Sequence, residues 1–255
     1  MCLFPAGVLL LAQSALAQMQ PHRAEYVLRL GTAANAPRVG TATQDLTLDC
    51  DTWHLKRDVK GEVPISATWK FSVASSLVGD EGRSGDDLRY RSLQVQNGAE
   101  REVHGKVQRA DGELRAEIRS PDGSARVMLP ALTRMPVASM DYIIGRLRAG
   151  AASFATLSFD AQGSGDAFHV EVAQVEEGAI RRRPPSDQPI VVPGRSWPVL
   201  MSFKRGAREQ QKPLFAFSAR LFESGILDHL TIDADMVTVT ADLKALEMHP
   251  SPSCQ

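Results

Sequence analysis

Residues 109–125 read RADGELRAEIRSPDGSA. Leu114, Ala116 and Ile118 alternate with Glu113, Arg115, Glu117 and Arg119, the two-residue period of a strand with one dry and one wet face. Asp111-Gly112 and Asp122-Gly123 bracket that strand, and Asp-Gly supplies the left-handed backbone that a tight hairpin requires. Two such turns around one short strand leave no room for a crossover helix between neighbours. The chain here doubles back twice, as a meander does.

The pattern extends in both directions. Toward the N-terminus stand EYVLRL, LTLDC, TWHLKRDV, ISATWKFSV, LRYRSLQV and EVHGKVQ; toward the C-terminus stand TLSFDA, FHVEVAQV, WPVLMSFKR, LFAFSARLFE, LDHLTIDA and VTVTADLKAL. Alternation in ISATWKFSV assigns Ile65, Ala67, Trp69, Phe71 and Val73 to the dry face. Asn97-Gly98 and Ser224-Gly225 mark further turns. A meander of about fourteen strands must close on itself or cover its edges. The predicted fold is therefore mainly β, a single long antiparallel meander with closed or covered edges and one mid-chain helix, forming one domain over residues 18–255.

One segment, PVASMDYIIGRLRAG, reads as a helix at mid-chain. Pro136 suits its first turn, Val137, Met140, Ile144 and Leu147 recur at helical spacing, and Gly150 suits the C-terminal cap. Such a helix is placed to plug or line a curved sheet. RRRPPSDQPIVVPG, residues 181–194, reads as a long surface loop.

The first residues, MCLFPAGVLLLAQSALAQ, hold an apolar run ending in Ala15-Leu16-Ala17. That is the form of an export signal, predicting export with cleavage after Ala17, Gln18 as the first mature residue and no stable membrane anchor. No Lys or Arg precedes the apolar run, and Cys2 lies before it, where a lipoprotein cysteine would follow it. Removing the signal leaves Cys50 and Cys254. An even count in an exported chain predicts a disulfide, the alternative being two unpaired buried thiols. Alternation with Leu46 and Leu48 predicts that the sulfur of Cys50 points inward, and a latch between the chain's ends would keep a curled ring from unwinding at its edge.

A net charge of −1 provides no general attraction to nucleic acid or anionic lipid. No nucleophile elbow, zinc-protease helix, P-loop or dinucleotide fingerprint is present, so no catalytic residue, cofactor or metal is predicted. His22, His54, His104, His169, His229 and His249 show no helical pairing. Asp49 with Asp51, and Asp233 with Asp235, are pairs that could bind calcium or serve acid–base chemistry, but solvated strand faces carry the same pattern. Arg181, Arg182 and Arg183 form a candidate site for an anionic partner, against the alternative of a solvated loop.

PHRAEYVLRL after the signal, LDCDTW, RSWPVLMSF, FSARLFESGI and the final cysteine together resemble the EipB-like family of periplasmic envelope-integrity proteins. The resemblance runs from about Pro21 to Cys254 and is most specific at Asp49-Cys50-Asp51 with Trp53, at Leu221 to Gly225, and at Cys254. It implies a periplasmic location, a meander curled into a β-spiral or open barrel-like ring with a helix at its cleft, a Cys50–Cys254 disulfide, and no enzymatic activity. The chain departs from the family pattern before the helix, where Arg134-Met135-Pro136-Val137-Ala138 replaces an aromatic or histidine-bearing stretch. The function expected is non-catalytic upkeep of the cell envelope, through a ligand or partner held between sheet and helix by Met140, Tyr142, Ile143 and Ile144. A periplasmic protein partner such as a helical-repeat scaffold is one expectation. A carrier of lipid or lipoprotein is a second reading, and a peptidoglycan or polysaccharide hydrolase a third.

Overall fold

The computed structural model describes residues 19–64, 69–162, 165–184, 190–205, 212–234 and 237–254. Its strands are β1 (His22–Leu30), β2 (Arg38–Leu48), β3 (Thr52–Pro64), β4 (Lys70–Gly82), β5 (Asp87–Gln96), β6 (Ala99–Ala110), β7 (Glu113–Ser120), β8 (Gly123–Leu129) and β9 (Thr133–Arg134). After helix α1 (Pro136–Arg148) come β10 (Ser153–Phe159), β11 (Ala167–Gln174), β12 (Ser196–Arg205), β13 (Phe215–Phe222), β14 (Leu227–Ala234) and β15 (Val237–Met248). All belong to one sheet, in the order β8 down to β1, then β15 down to β9. Every pairing is antiparallel except the short β9–β10 contact.

Local chemistry sets the turns. Asn97 and Asp111 adopt φ of 49° and 54°, each followed by a glycine at positive φ, the geometry of the tight turn that matches strand twist. Registers of Gln96 with Ala99 and of Ala110 with Glu113 follow from those two-residue loops. Leu114 and Ala116 of the opening strand are fully buried, as alternation predicts.

The sheet curls until its two ends meet. Tyr90 of β5 and Phe159 of β10, far apart in sheet order, touch edge to face at 5.6 Å. The β10–β11 turn lodges against β5 and β7, where the amide of Gln94 donates to the carbonyl of Gln162. Gly165 in this turn has φ of 68°, a backbone that favours glycine, and a Cβ there would lie 1.9 Å from Ile118 Cδ1 and force that side chain to move. The result is a nearly closed barrel.

Helix α1 fills one end of it. Pro136 opens the helix, and Gly150 at φ 84° closes it with Gly150 N–H donating to Leu147 O and Ala151 N–H to Arg146 O, both at 3.0 Å. Its buried residues Val137, Ile143, Ile144 and Leu147 join one core with Leu46, Trp53, Leu77, Leu88, Val107, Leu114 and Met201 from the sheet.

Four expectations are corrected. The chain's ends lie at the centre of the sheet, not its edges: β1 pairs with β15 from His22–Met248 to Leu30–Val239. The sheet edges are the mid-chain strands β8 and β9, so a latch between the termini does not guard an edge. Cys50 and Cys254 form a disulfide with Cα atoms 5.5 Å apart, but Cys50 is exposed, because β2 ends at Leu48 and Asp49 turns the chain by accepting from the N–H groups of Asp51 and Thr52. Trp69 is 53 % exposed, because β4 begins at Lys70; Ile65 and Ala67 lie outside the described residues.

The fourth concerns the β11–β12 connection, which is no solvated loop where its arginines stand. Arg183 donates to Asp228 Oδ2 at 2.6 Å and to the carbonyl of Leu243 at 3.0 Å, while Arg181 pairs with Asp242. Ala241, Asp242 and Leu243 are consecutive and all buried, so both faces of β15 are covered here, one by the barrel interior and the other by this connection. Asp228 also accepts from the N–H groups of Leu243 and His229 at 2.9 and 2.8 Å. Of the three arginines, only Arg182 is left exposed.

Candidate functional site

Directly paired residues on neighbouring strands share a face, so register shows what lines the barrel. One row runs Phe154–Val172–Met201–Phe217–Ile232–Val239–Leu30 across β10 to β1. All seven are apolar. At the helix side the row is closed, with Phe154 edge-on to Tyr142 at 6.2 Å and with Val172 and Met201 at 1 % and 2 % exposure. From Phe217 to Leu30 the residues are only half-buried.

Aromatic residues thicken this surface. Phe203 stacks on Phe215 at 4.5 Å and on Phe217 at 5.4 Å, while Phe168 meets Phe203 and Phe215 edge-on at about 6 Å. All four rings are half-buried. Beyond Leu30 the surface continues through Leu28, Val39, Ala42, Val59 and Val63. The same inward alternation thus produces a packed core at one end of the barrel, against which Phe168, Phe203 and Phe217 lean, and at the other a small buried cluster at Leu28 and Val39 flanked by half-buried apolar residues.

Between the ends lies a polar rung. Ala24, Gln44, Arg57, Leu77, Ser92 and Val103 pair in succession across β1 to β6. Arg57 donates to Gln44 Oε1 at 2.8 Å, and burial holds its guanidinium pKa below the ordinary value. Burial also pushes the phenol of Tyr26, close to Arg57, well above its usual range.

At the filled end one carboxylate is buried. Glu81 is 2 % exposed, and its two oxygens accept from the N–H groups of Val137 and Ala138 at 2.8 and 2.7 Å. It caps α1 from across the barrel, where Met135 at the N-cap provides no side-chain bond. Burial outweighs those two donors and pushes its pKa up to about 7.

The residues singled out from sequence fall into two groups. Ile143 and Ile144, at 2 % and 1 % exposure, are core. Tyr142 is held between Phe154 and the guanidinium of Arg134, which lies 3.7 Å over its ring, and Met140 packs on the core from partial exposure. The helix therefore closes the barrel, and the accessible apolar surface belongs to the sheet. Asp49 is tied to its own turn and to His54; Asp233 lies in β14, and Asp235 is outside the described residues. Of the buried carboxylates, Glu81 caps the helix, while Asp228 and Asp242, neighbours through the Leu243 N–H bond to Asp228, are each matched by an arginine. Among the described residues no group of three or more His, Cys, Asp or Glu is placed to hold a metal ion, and no helix is long and apolar enough to cross a membrane. The aromatic cluster was visible in sequence only as alternation; its assembly depends on a register that no local signal carries.

Comparison with known proteins agrees with this architecture. A crystal structure of a beta-barrel-like protein of a domain of unknown function from Brucella abortus superposes with a TM-score of 0.74 at 19% identity, over 91% of this chain and 99% of that one. The cell envelope integrity protein EipB of Brucella abortus (strain 2308) is 24% identical over 242 residues, 91% of this chain and 85% of its own length. The family model described as EipB-like matches residues 13–250. With nearly its whole length inside that match, the chain belongs to the EipB-like family.

Proposed function

We propose that this chain is an exported, non-catalytic protein of the periplasm, cleaved after Ala17, that sustains the cell envelope by binding an apolar molecule or segment in the half-open end of its barrel. The observation that carries the reading is the row Phe217–Ile232–Val239–Leu30, inward-facing, apolar and half-exposed, with the cluster of Phe168, Phe203 and Phe215 beside it. Each such side chain withheld from burial forgoes roughly 1 kcal/mol or more of hydrophobic stabilisation. A bound apolar chain would recover it. The name of the Brucella abortus relative supports the envelope as the place of action. Among the readings drawn from sequence, this surface favours a lipid or lipoprotein ligand over a groove on the helix.

Native mass spectrometry of protein taken from the periplasm is expected to show co-purifying lipid, and N-phenylnaphthylamine is expected to fluoresce on binding the purified mature chain. Phe217→Asp with Ile232→Asp should weaken that binding at least tenfold and impair survival under envelope stress. Undiminished binding and survival in a folded double variant would refute the reading. Edman sequencing from Gln18 checks the cleavage, and fractionation checks the location.

A further inference from the structure

The rung containing Arg57 puts a cation inside the barrel, beside the apolar lining. Its inward neighbours on β3 are Leu55, buried in the helix-filled core, and Val59, half-buried in the lining. It stands at the boundary between the two. A guanidinium carries five donors, yet the polar partner of Arg57 among the described residues is the neutral amide of Gln44, and no carboxylate among them lies within ion-pair distance. This contrasts with Arg181 and Arg183 on the other side of the sheet, both matched by buried aspartates.

The groups around Arg57 are donors with nothing to donate to. Ser92 is in the same rung, and Ser75 pairs with Val59 in the next one. Their hydroxyls are buried and have no partner among the described residues. A half-buried cation beside buried, unmatched hydroxyls presents donors that an acceptor oxygen can meet. Two oxygens of a carboxylate or phosphate can each accept one of two parallel N–H bonds from one guanidinium, and serine hydroxyls can donate to the same group.

Building on the apolar-binding reading above, we propose that Arg57, with Ser75 and Ser92, is the anchor for the anionic head of an amphiphile whose hydrocarbon lies along the Phe217–Ile232–Val239–Leu30 row. The head sits deep and the chain runs toward the open end. The ligand class is thereby narrowed from any apolar molecule to one carrying a carboxylate or phosphate.

The test uses the mature full-length chain with two probes, dansylaminoundecanoic acid and its methyl ester. The wild type is expected to bind the acid at least tenfold more tightly than the ester. In Arg57→Gln that preference should fall to about one while ester affinity holds, which also shows that the barrel is intact. Arg57→Lys should restore part of the preference, since a point charge replaces the fork. Dodecyl phosphate and dodecanoate, used as competitors, distinguish a phosphate head from a carboxylate one. Equal affinity of the wild type for acid and ester, or a preference that survives Arg57→Gln, overturns the anchor and leaves apolar binding standing. Loss of both probes in Arg57→Gln and in Arg57→Lys would make Arg57 structural and overturns it too. Failure of the wild type to bind either probe overturns the anchor and the apolar-binding reading together.

Discussion

At one end of the barrel the inward row Leu48–Trp53–Glu81–Leu88–Val107–Ala116 shares a core with α1. At the other, Phe217, Ile232, Val239 and Leu30 obey the same alternation and stay half-exposed. Strand periodicity decides which face turns inward. It does not decide whether that face is filled, which takes a second element. The one α-helix among the described residues has 13 residues and so spans about 20 Å, enough for one end. The other end has no helix laid across it, and its inward apolar residues stay half-buried.

The comparison breaks most directly on paired truncations. Ile144→Ala, in the filled end, is expected to lower unfolding free energy by about 3–4 kcal/mol, since neighbours cannot collapse into the space. Ile232→Ala, in the open end, should cost about 1 kcal/mol, because its side chain is only partly removed from water. Urea unfolding of both variants measures the difference, and equal losses would mean that the two ends are packed alike.

The next largest effect concerns the disulfide. It spans 204 residues of sequence, and removing it with Cys50→Ser is expected to cost about 3 kcal/mol and lower Tm by about 6–12 °C. Cys50 adjoins the filled end, in the turn after Leu48 and before Trp53. Its loss should leave probe binding by the open end unchanged in the cold. A binding defect in the folded variant would couple the two ends.

Much of this division was legible in residues, and some was not. Alternation located most strands, Asp-Gly and Asn-Gly located hairpins, and Pro136 with Gly150 bounded the helix. The edge strands escaped: β9 has two residues, and β8 buries little besides Leu129, so neither carries a period. Cys50 looked inward because alternation was extended through Asp49, whose turn stops it. Placement of the chain's ends at mid-sheet is a property of strand order, to which a two-residue period is blind. Likewise, Arg181 and Arg183 looked free because their aspartates lie 61 and 45 residues away. Local chemistry is written locally; the site is built from register.

A smaller effect tests the helix cap. With its pKa raised to about 7, Glu81 holds a proton in the folded state that the unfolded chain releases near 4.5. Stability from this group is therefore complete below about pH 4.5 and lost as pH rises toward 7. Glu81→Gln, neutral throughout, should remove that decline of up to about 1.4 kcal/mol per pH unit. His22, whose buried imidazole has a lowered pKa, works in the opposite sense, gaining stability as pH rises toward 6.5. Calorimetric Tm of Glu81→Gln should then rise with pH between 5 and 6.5 where the wild type falls. If the wild-type slope persists in the variant, the cap is not what couples the filled end to pH.

The smallest effect lies on the outer face, and its value is that it separates in pH from the cap. His54 Nδ1 contacts Asp80 Oδ1 at 2.7 Å and its Nε2 contacts Asp49 Oδ2 at 3.1 Å. Asp80 first, then Asp49, raise its pKa above 6.5. A raised imidazole supports the fold below the unfolded pKa and loses that support as pH climbs through the folded one, so its window opens where that of Glu81 closes. The side chain is 46% exposed, and solvent screening keeps its energy small; the readout is therefore NMR titration of the ring, not melting. Asp80→Asn should bring the His54 midpoint down toward 6.5 and leave Tm near neutrality within a degree or two. An unmoved midpoint would show that the ring is not charged by that contact. A large fall in Tm would show that the outer wall of the filled end, and not only its interior, carries its stability.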